Sequence, residues 1–199
     1  MNTRNILQVF FCLVWLTSPL TGHASPIIQT DPQAVGAWSS GVNDVQGRLL
    51  FAIDGKVNGT TMTRIYLELR NVSDTVDPLK VDYGTGEGLR LEVVDSRSKK
   101  VAPDNGDAFD AMIPGPLEVT LPHDSSLRFL ISVSGYGIPK DGGMMLELST
   151  ASQGPILLPS ESHETYFLQG TFSVAVSKKL SSWQRWHGML TLPPVRIPQ

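Results

Sequence analysis

The chain has 199 residues, with 16 basic against 19 acidic side chains, a net charge of −3 and a single cysteine, Cys12. The acidic balance argues against a nucleic-acid or anionic-membrane partner, either of which needs a basic face. One cysteine excludes an internal disulfide, and because Cys12 lies in the expected leader, thiol catalysis, thiolate-ligated clusters and cysteine-type zinc sites are not expected either.

Residues 1–24 read as a secretory signal. Arg4 precedes the apolar run Ile6–Leu16, and Pro19, Gly22 and Ala24 suit cleavage between Ala24 and Ser25. The run is about half of the roughly 20 residues a membrane span needs, so no membrane insertion is expected after cleavage. Val9, Phe10 and Phe11 before Cys12 do not fit a lipoprotein signal, which wants small residues there. The expectation is an exported chain, periplasmic or extracellular. Cleavage would remove Cys12 and one basic residue, Arg4, but no acidic one, leaving a cysteine-free chain with net charge near −4. Residues 25–37 lack a pattern and are expected to form a tail or an edge segment. Residues 38–199 suit a single domain, long enough to bury a core without covalent staples.

From there on the dominant signal is alternation with a period of two, which marks half-buried strands. Leu49, Phe51 and Ile53 share one face of a first strand that Asp54-Gly55 is expected to close. Over Thr63–Arg70, Ile65, Leu67 and Leu69 oppose Tyr66, Glu68 and Arg70. Over Leu89–Val94, Leu89, Leu91 and Val93 oppose Arg90 and Glu92. Phe129, Ile131 and Val133 face away from Arg128, Ser132 and Ser134, and Phe172, Val174 and Val176 from Ser173 and Ser177. Shorter candidates are Leu117–Leu121, Met144–Leu148, Glu164–Leu168 and Gly188–Leu192. No stretch of a dozen residues sustains a helical period. About eight to ten antiparallel strands in a two-sheet sandwich are therefore expected, with a closed barrel as the second choice.

Several groups are candidate sites. Asp104, Asn105, Asp107 and Asp110 supply oxygens of the kind calcium takes, but not in an EF-hand order, which makes a solvated loop the simpler reading. Gly84-Thr-Gly86-Glu-Gly88 opens onto a strand, where a phosphate loop must open onto a helix, so it reads as a turn. His123, His163 and His187 show no metal-ligand spacing, no nucleophile elbow is present, and no catalytic residue or cofactor is assigned. Trp183 and Trp186, with Arg185 and His187 beside them, form the densest aromatic group. They are candidates to stack on sugar, set against the plainer alternative that at least one plugs the end of the sandwich. Tyr136, between Gly135 and Gly137, is the third candidate for a partner or ligand contact.

Three pairs of stretches carry a resemblance. Trp38-Ser-Ser-Gly-Val-Asn-Asp-Val-Gln46 leads to Leu67-Glu-Leu-Arg-Asn-Val-Ser73. Leu121-Pro-His-Asp-Ser-Ser-Leu-Arg128 runs on to Val133-Ser-Gly-Tyr-Gly-Ile-Pro-Lys140, and Tyr166-Phe-Leu-Gln-Gly-Thr-Phe172 precedes Leu192-Pro-Pro-Val195. Together these resemble a group of exported bacterial proteins, common in planctomycetes, built on an immunoglobulin-like β-sandwich. The resemblance spans most of the chain after the leader and implies one continuous domain, without supplying an activity. Its Leu-x-Leu-Arg-Asn-x-Ser element reads physically as a strand entering a turn, with Asn71 and Ser73 bonding nearby backbone.

The expected function is a non-catalytic binding or structural module of the bacterial envelope that meets a protein partner through loops or an edge strand. A carbohydrate-binding domain using Tyr136, Trp183 or Trp186 is the alternative. A small protease-inhibitor sandwich is a third reading, by fold analogy.

Overall fold

Alternating sequence makes strands, and the computed structural model of the chain is all-β. It describes residues 32–57, 60–83, 88–103, 117–135, 144–146, 156–159, 164–175 and 185–198, with no helix among them. Eleven strands follow in chain order: β1 (Ala34–Val35), β2 (Val45–Val57), β3 (Thr60–Asn71), β4 (Leu79–Tyr83), β5 (Leu89–Asp95), β6 (Leu117–Leu121), β7 (Ser126–Gly135), β8 (Met144–Leu146), β9 (Ile156–Leu158), β10 (Tyr166–Val174) and β11 (Gly188–Arg196). They pair antiparallel into a four-stranded sheet, β1-β2-β3-β7, a three-stranded sheet, β11-β10-β5, and the two ribbons β4-β6 and β8-β9. The two larger sheets bury their apolar faces in one core, an arrangement consistent with a β-sandwich.

The core is the set of residues that the alternation selects. Leu49 and Phe51 of β2, Ile65, Leu67 and Leu69 of β3, and Leu89, Leu91 and Val93 of β5 meet Leu168 and Phe172 of β10 and Leu190 and Leu192 of β11. The Leu67-to-Ser73 element turns as its chemistry suggests. Buried Asn71 accepts the Ser73 N–H on Oδ1 at 2.9 Å and donates through Nδ2 to the Leu121 carbonyl at 3.2 Å.

Three bulges correct the simple alternation. Asp54-Gly55 does not end the first strand: β2 runs on to Val57, and the two residues stand opposite Met62 alone, between the pairs Ile53–Thr63 and Lys56–Thr61. In β7, Ile131 is the extra residue between the pairs Tyr66–Leu130 and Ile65–Ser132. Both Ile131 and Ser132 are therefore buried, and Val133 pairs with Arg64. In β11, Pro193 and Pro194 stand opposite Gln169 alone, between the pairs Gly170–Leu192 and Leu168–Val195. Neither proline has an N–H to give to a ladder, so the irregularity falls where the sequence cannot pair. The strands expected separately at Glu164–Leu168 and around Phe172 are one strand, β10, while β4 and β9 were not anticipated.

Two backbone details hold the sheets in place. At Gly170 a Cβ would lie 2.1 Å from the Arg90 carbonyl oxygen, so β10 and β5 approach as they do only because no side chain stands there. Asn43 and Asp44 both have positive φ, 46° and 66°, inside a two-residue turn closed by Val42 N–H to Val45 O at 2.9 Å and Val45 N–H to Val42 O at 3.1 Å. This is the turn that favours Asn-Gly.

Gly170→Ala should destabilise the domain by about 3 kcal/mol or more, because the contact is with backbone that cannot step aside. Asp44→Gly should stabilise it by about 0.5–1 kcal/mol by removing a left-handed non-glycine residue. Urea unfolding of the two variants checks both signs.

Candidate binding face

The register of the four-stranded sheet sets its non-core side chains in cross-strand rows. Gln46, Arg70 and Ser126 form one row on β2, β3 and β7, then Arg48, Glu68 and Arg128, then Leu50, Tyr66 and Leu130. Directly opposed side chains on one face lie close enough to interact. In the middle row they do. Glu68 accepts Arg48 Nε at 2.6 Å on one oxygen, and Arg128 Nε at 3.0 Å and Ser126 Oγ at 3.1 Å on the other. Sequence alternation assigns Glu68 to the wetted face, but the residue is only 3 % exposed. Leu50 and Ala52, on this same side of β2, are buried as well.

The row beside it is tied differently. Gln46 Oε1 accepts both Nε and Nη2 of Arg70, at 2.8 and 2.6 Å. Over these residues lies Trp38, with the guanidinium carbons of Arg48 and Arg70 at 4.2 and 4.4 Å from its ring centroid, within cation–π range. Trp38 is held there by its neighbours. Gly36 N–H donates to Leu49 O at 2.9 Å, Ser39 N–H donates to Gly47 O at 2.8 Å, and Gly47 N–H donates back to Ser39 Oγ at 2.9 Å. The segment 36–39 thus runs along β2.

Burial alone would push the Glu68 carboxyl up. The hydrogen bonds from Arg48 and Arg128, with their charges, outweigh it and hold the group below the ordinary glutamate range. Other carboxylates follow the same direction. Glu92 is lowered by hydrogen bonds from Gln169 and Lys100. Glu118, on the β4–β6 ribbon, is lowered chiefly by Lys80, at 3.0 Å, and by Arg185.

Arg185 belongs to a second cluster. Its Nη1 meets both Asp82 oxygens at 2.5 and 2.6 Å, its Nη2 bonds Glu118, and the Asp82 contact chiefly raises its own pKa. A parallel bridge between Lys80 and Arg185 lays this segment on β4, with Trp186 N–H donating to Lys80 O at 2.8 Å.

That docking decides the fate of Trp186. The ring is 2 % exposed, stacks on Phe172 with centroids 5.7 Å apart and planes 4° from parallel, and donates Nε1–H to Val42 O at 2.8 Å. Trp186 is therefore a core residue and offers no face to a sugar, a correction to its place among the exposed aromatic candidates. Trp183, Tyr136, His163 and the calcium candidates Asp104, Asn105, Asp107 and Asp110 lie outside the described residues. His123 contacts the Asp124 carboxylate at 3.1 Å, and His187 is exposed with its carbonyl accepting from Asn43 Nδ2 at 2.7 Å. Among the described residues no three His, Cys, Asp or Glu side chains gather as metal ligands. The grouping of Trp38 with Arg48, Arg70 and Arg128 was missed by sequence reasoning. Its signal is the placing of Arg48 and Arg70 at positions that oppose Glu68 and Gln46 once the strands are aligned.

Because the Glu68 carboxyl is lowered on folding, the stability it contributes is complete above the unfolded glutamate range, about pH 4.3, and is lost as pH falls through the lower folded value. Glu68→Gln should cost about 2 kcal/mol at pH 7, less than full burial of a broken ion pair would, since both arginines keep some access to water. The loss of stability on acidification should also be shallower in the variant. Urea midpoints measured from pH 7 to pH 3 test both expectations.

No protein-family model matches the chain, and no curated protein or solved structure is significantly similar to it.

Proposed function

We propose that the chain is an exported, non-catalytic binding module of the bacterial envelope, with an immunoglobulin-like sandwich that meets a protein partner through loops or an outer strand. The immunoglobulin-like reading is supported by the neighbours in each sheet. β2-β3-β7 has the order expected of strands A, B and E, and β11-β10-β5 that of G, F and C. Tyr166, buried at the start of β10, stands where such folds carry a tyrosine at the start of strand F.

One observation supports a scaffold reading. Glu68, Glu92 and Glu118 are each taken up in pairs that tie neighbouring strands together, Glu68 with Arg48 and Arg128, Glu92 with Gln169, and Glu118 with Lys80. β7 supplies an outer strand for a partner, with Leu130 47 % exposed on it, and Val76 is exposed in the loop before β4. Export rests on the leader Ile6–Leu16 and its small residues up to Ala24.

Fractionated native cells should yield a chain that begins at Ser25 and lies outside the cytoplasm. A photo-crosslinking residue at position 130 or 76 should capture the same envelope protein in repeated preparations. A full-length cytoplasmic chain overturns export, and no capture from either position overturns the partner.

A further inference from the structure

The outer face of β2-β3-β7 holds more positive charge than its own pairing uses. Arg48, Arg70 and Arg128 stand around one carboxylate, Glu68, on a chain whose net charge is −3. The excess is therefore local and does not reflect general basicity. Each guanidinium presents five N–H donors. Glu68 engages Arg48 and Arg128 through Nε alone, so both Nη groups of each arginine make no hydrogen bond with the described residues. Gln46 takes Nε and Nη2 of Arg70 and leaves its Nη1. These side chains are only partly exposed, 22 % for Arg48 and 33 % for Arg128, so water screens their mutual repulsion incompletely.

We propose that this face binds an acidic polysaccharide, its carboxylate or sulfate groups taken by the free Nη donors of Arg48, Arg128 and Arg70. Carboxylate and sulfate oxygens are natural partners of such donors, and bidentate pairing makes the contact specific. The layout selects a chain over a small anion. Arg48 and Arg128 turn to Glu68 and Arg70 to Gln46, so the three guanidinium groups hold more unused N–H donors, over two rows of the sheet, than one small anion can take, while repeated charges along a polymer can use them. Gln46 and Ser126, in the row beside Glu68, add amide and hydroxyl groups for sugar hydroxyls. The site differs from the aromatic set Tyr136, Trp183 and Trp186. The choice of a glycan over other polyanions rests on the reading of the chain as an exported binding module.

Titration of the full chain with a heparin fragment and with oligogalacturonate, alongside neutral dextran and a single-stranded oligonucleotide, tests the proposal. An acidic oligosaccharide should bind, dextran should not, and the affinity should fall roughly tenfold or more between 50 and 200 mM salt as contacted charges release counterions. Arg70→Gln, which leaves the Glu68 pairs intact, should weaken binding about fivefold to tenfold, and the exposed-loop pair Arg97→Gln/Lys99→Gln should not. On the unmutated protein the glycan should protect Arg48, Arg70 and Arg128, but not Arg97, from phenylglyoxal. Absence of binding, equal loss in the loop variant, equal protection of Arg97, or an oligonucleotide that binds as tightly as the glycan would each overturn the proposal. None of these results alters crosslinking from positions 130 and 76, so the two readings fail separately.

Discussion

Strand β3 is used from both sides, and its register with β2 and β7 is the constraint on which the rest of the structure depends. Ile65, Leu67 and Leu69 enter the core while Tyr66, Glu68 and Arg70 build the opposite face. A slip of one residue would send the charged set inward, which the hydrophobic pattern forbids. A slip of two keeps the apolar parity, and there the ion row decides. On the β2 side it would place Arg48 opposite Arg70 or Tyr66, and Glu68 opposite Leu50 or Gln46, in each case taking from a buried carboxylate the cation that stands directly opposite it. Buried ion pairs are poor sources of net stability but good sources of this kind of discrimination.

The same row links packing to surface chemistry. Because Glu68 is almost fully buried, its two arginines are drawn down against the sheet and lie beside dry neighbours such as Leu50. Trp38 lies over the cluster by way of a short edge segment whose backbone bonds with Leu49 and Gly47 fix its path along β2. A chain that is acidic on average thus concentrates guanidinium groups on one face, while Arg185, Lys80, Asp82 and Glu118 neutralise one another on the β4–β6 ribbon. Net charge, being a sum, is blind to that separation, and it is the separation that a ligand meets.

How much of this was legible follows from which interactions are local. Period-two alternation is local, so the strands around Leu49, Ile65, Leu91, Phe129 and Phe172, and the core they form, could be read directly. Leu79, Val81 and Tyr83 carry the same alternation, but in a segment set between Asp77-Pro78 and Gly84-Thr-Gly86, where turn residues on both sides mask it. Bulges are not local in that sense: the extra residue at Ile131 is defined by a partner strand more than sixty positions away, and it alone moves Ser132 into the core. The arginine face is hidden for the same reason, since Trp38, Arg48, Arg70 and Arg128 become neighbours only through pairing. Trp186 follows the plainer of its two sequence readings, although what carries the ring inward against Phe172, the docking of Arg185 on β4, is again a long-range contact.

The paired prolines of β11 have a consequence for the molecule among its neighbours. β11 is the outer strand of its sheet, and an outer strand is a template on which another chain can crystallise as further β-structure. Two successive residues that can donate nothing, set in a bulge that bends the strand, interrupt that template near its end. Sheet growth from that side is blunted without any added charge or covering helix. The final strand can therefore remain at the border of the fold and stay refractory to cross-β stacking at concentrations where an unbroken edge would recruit copies.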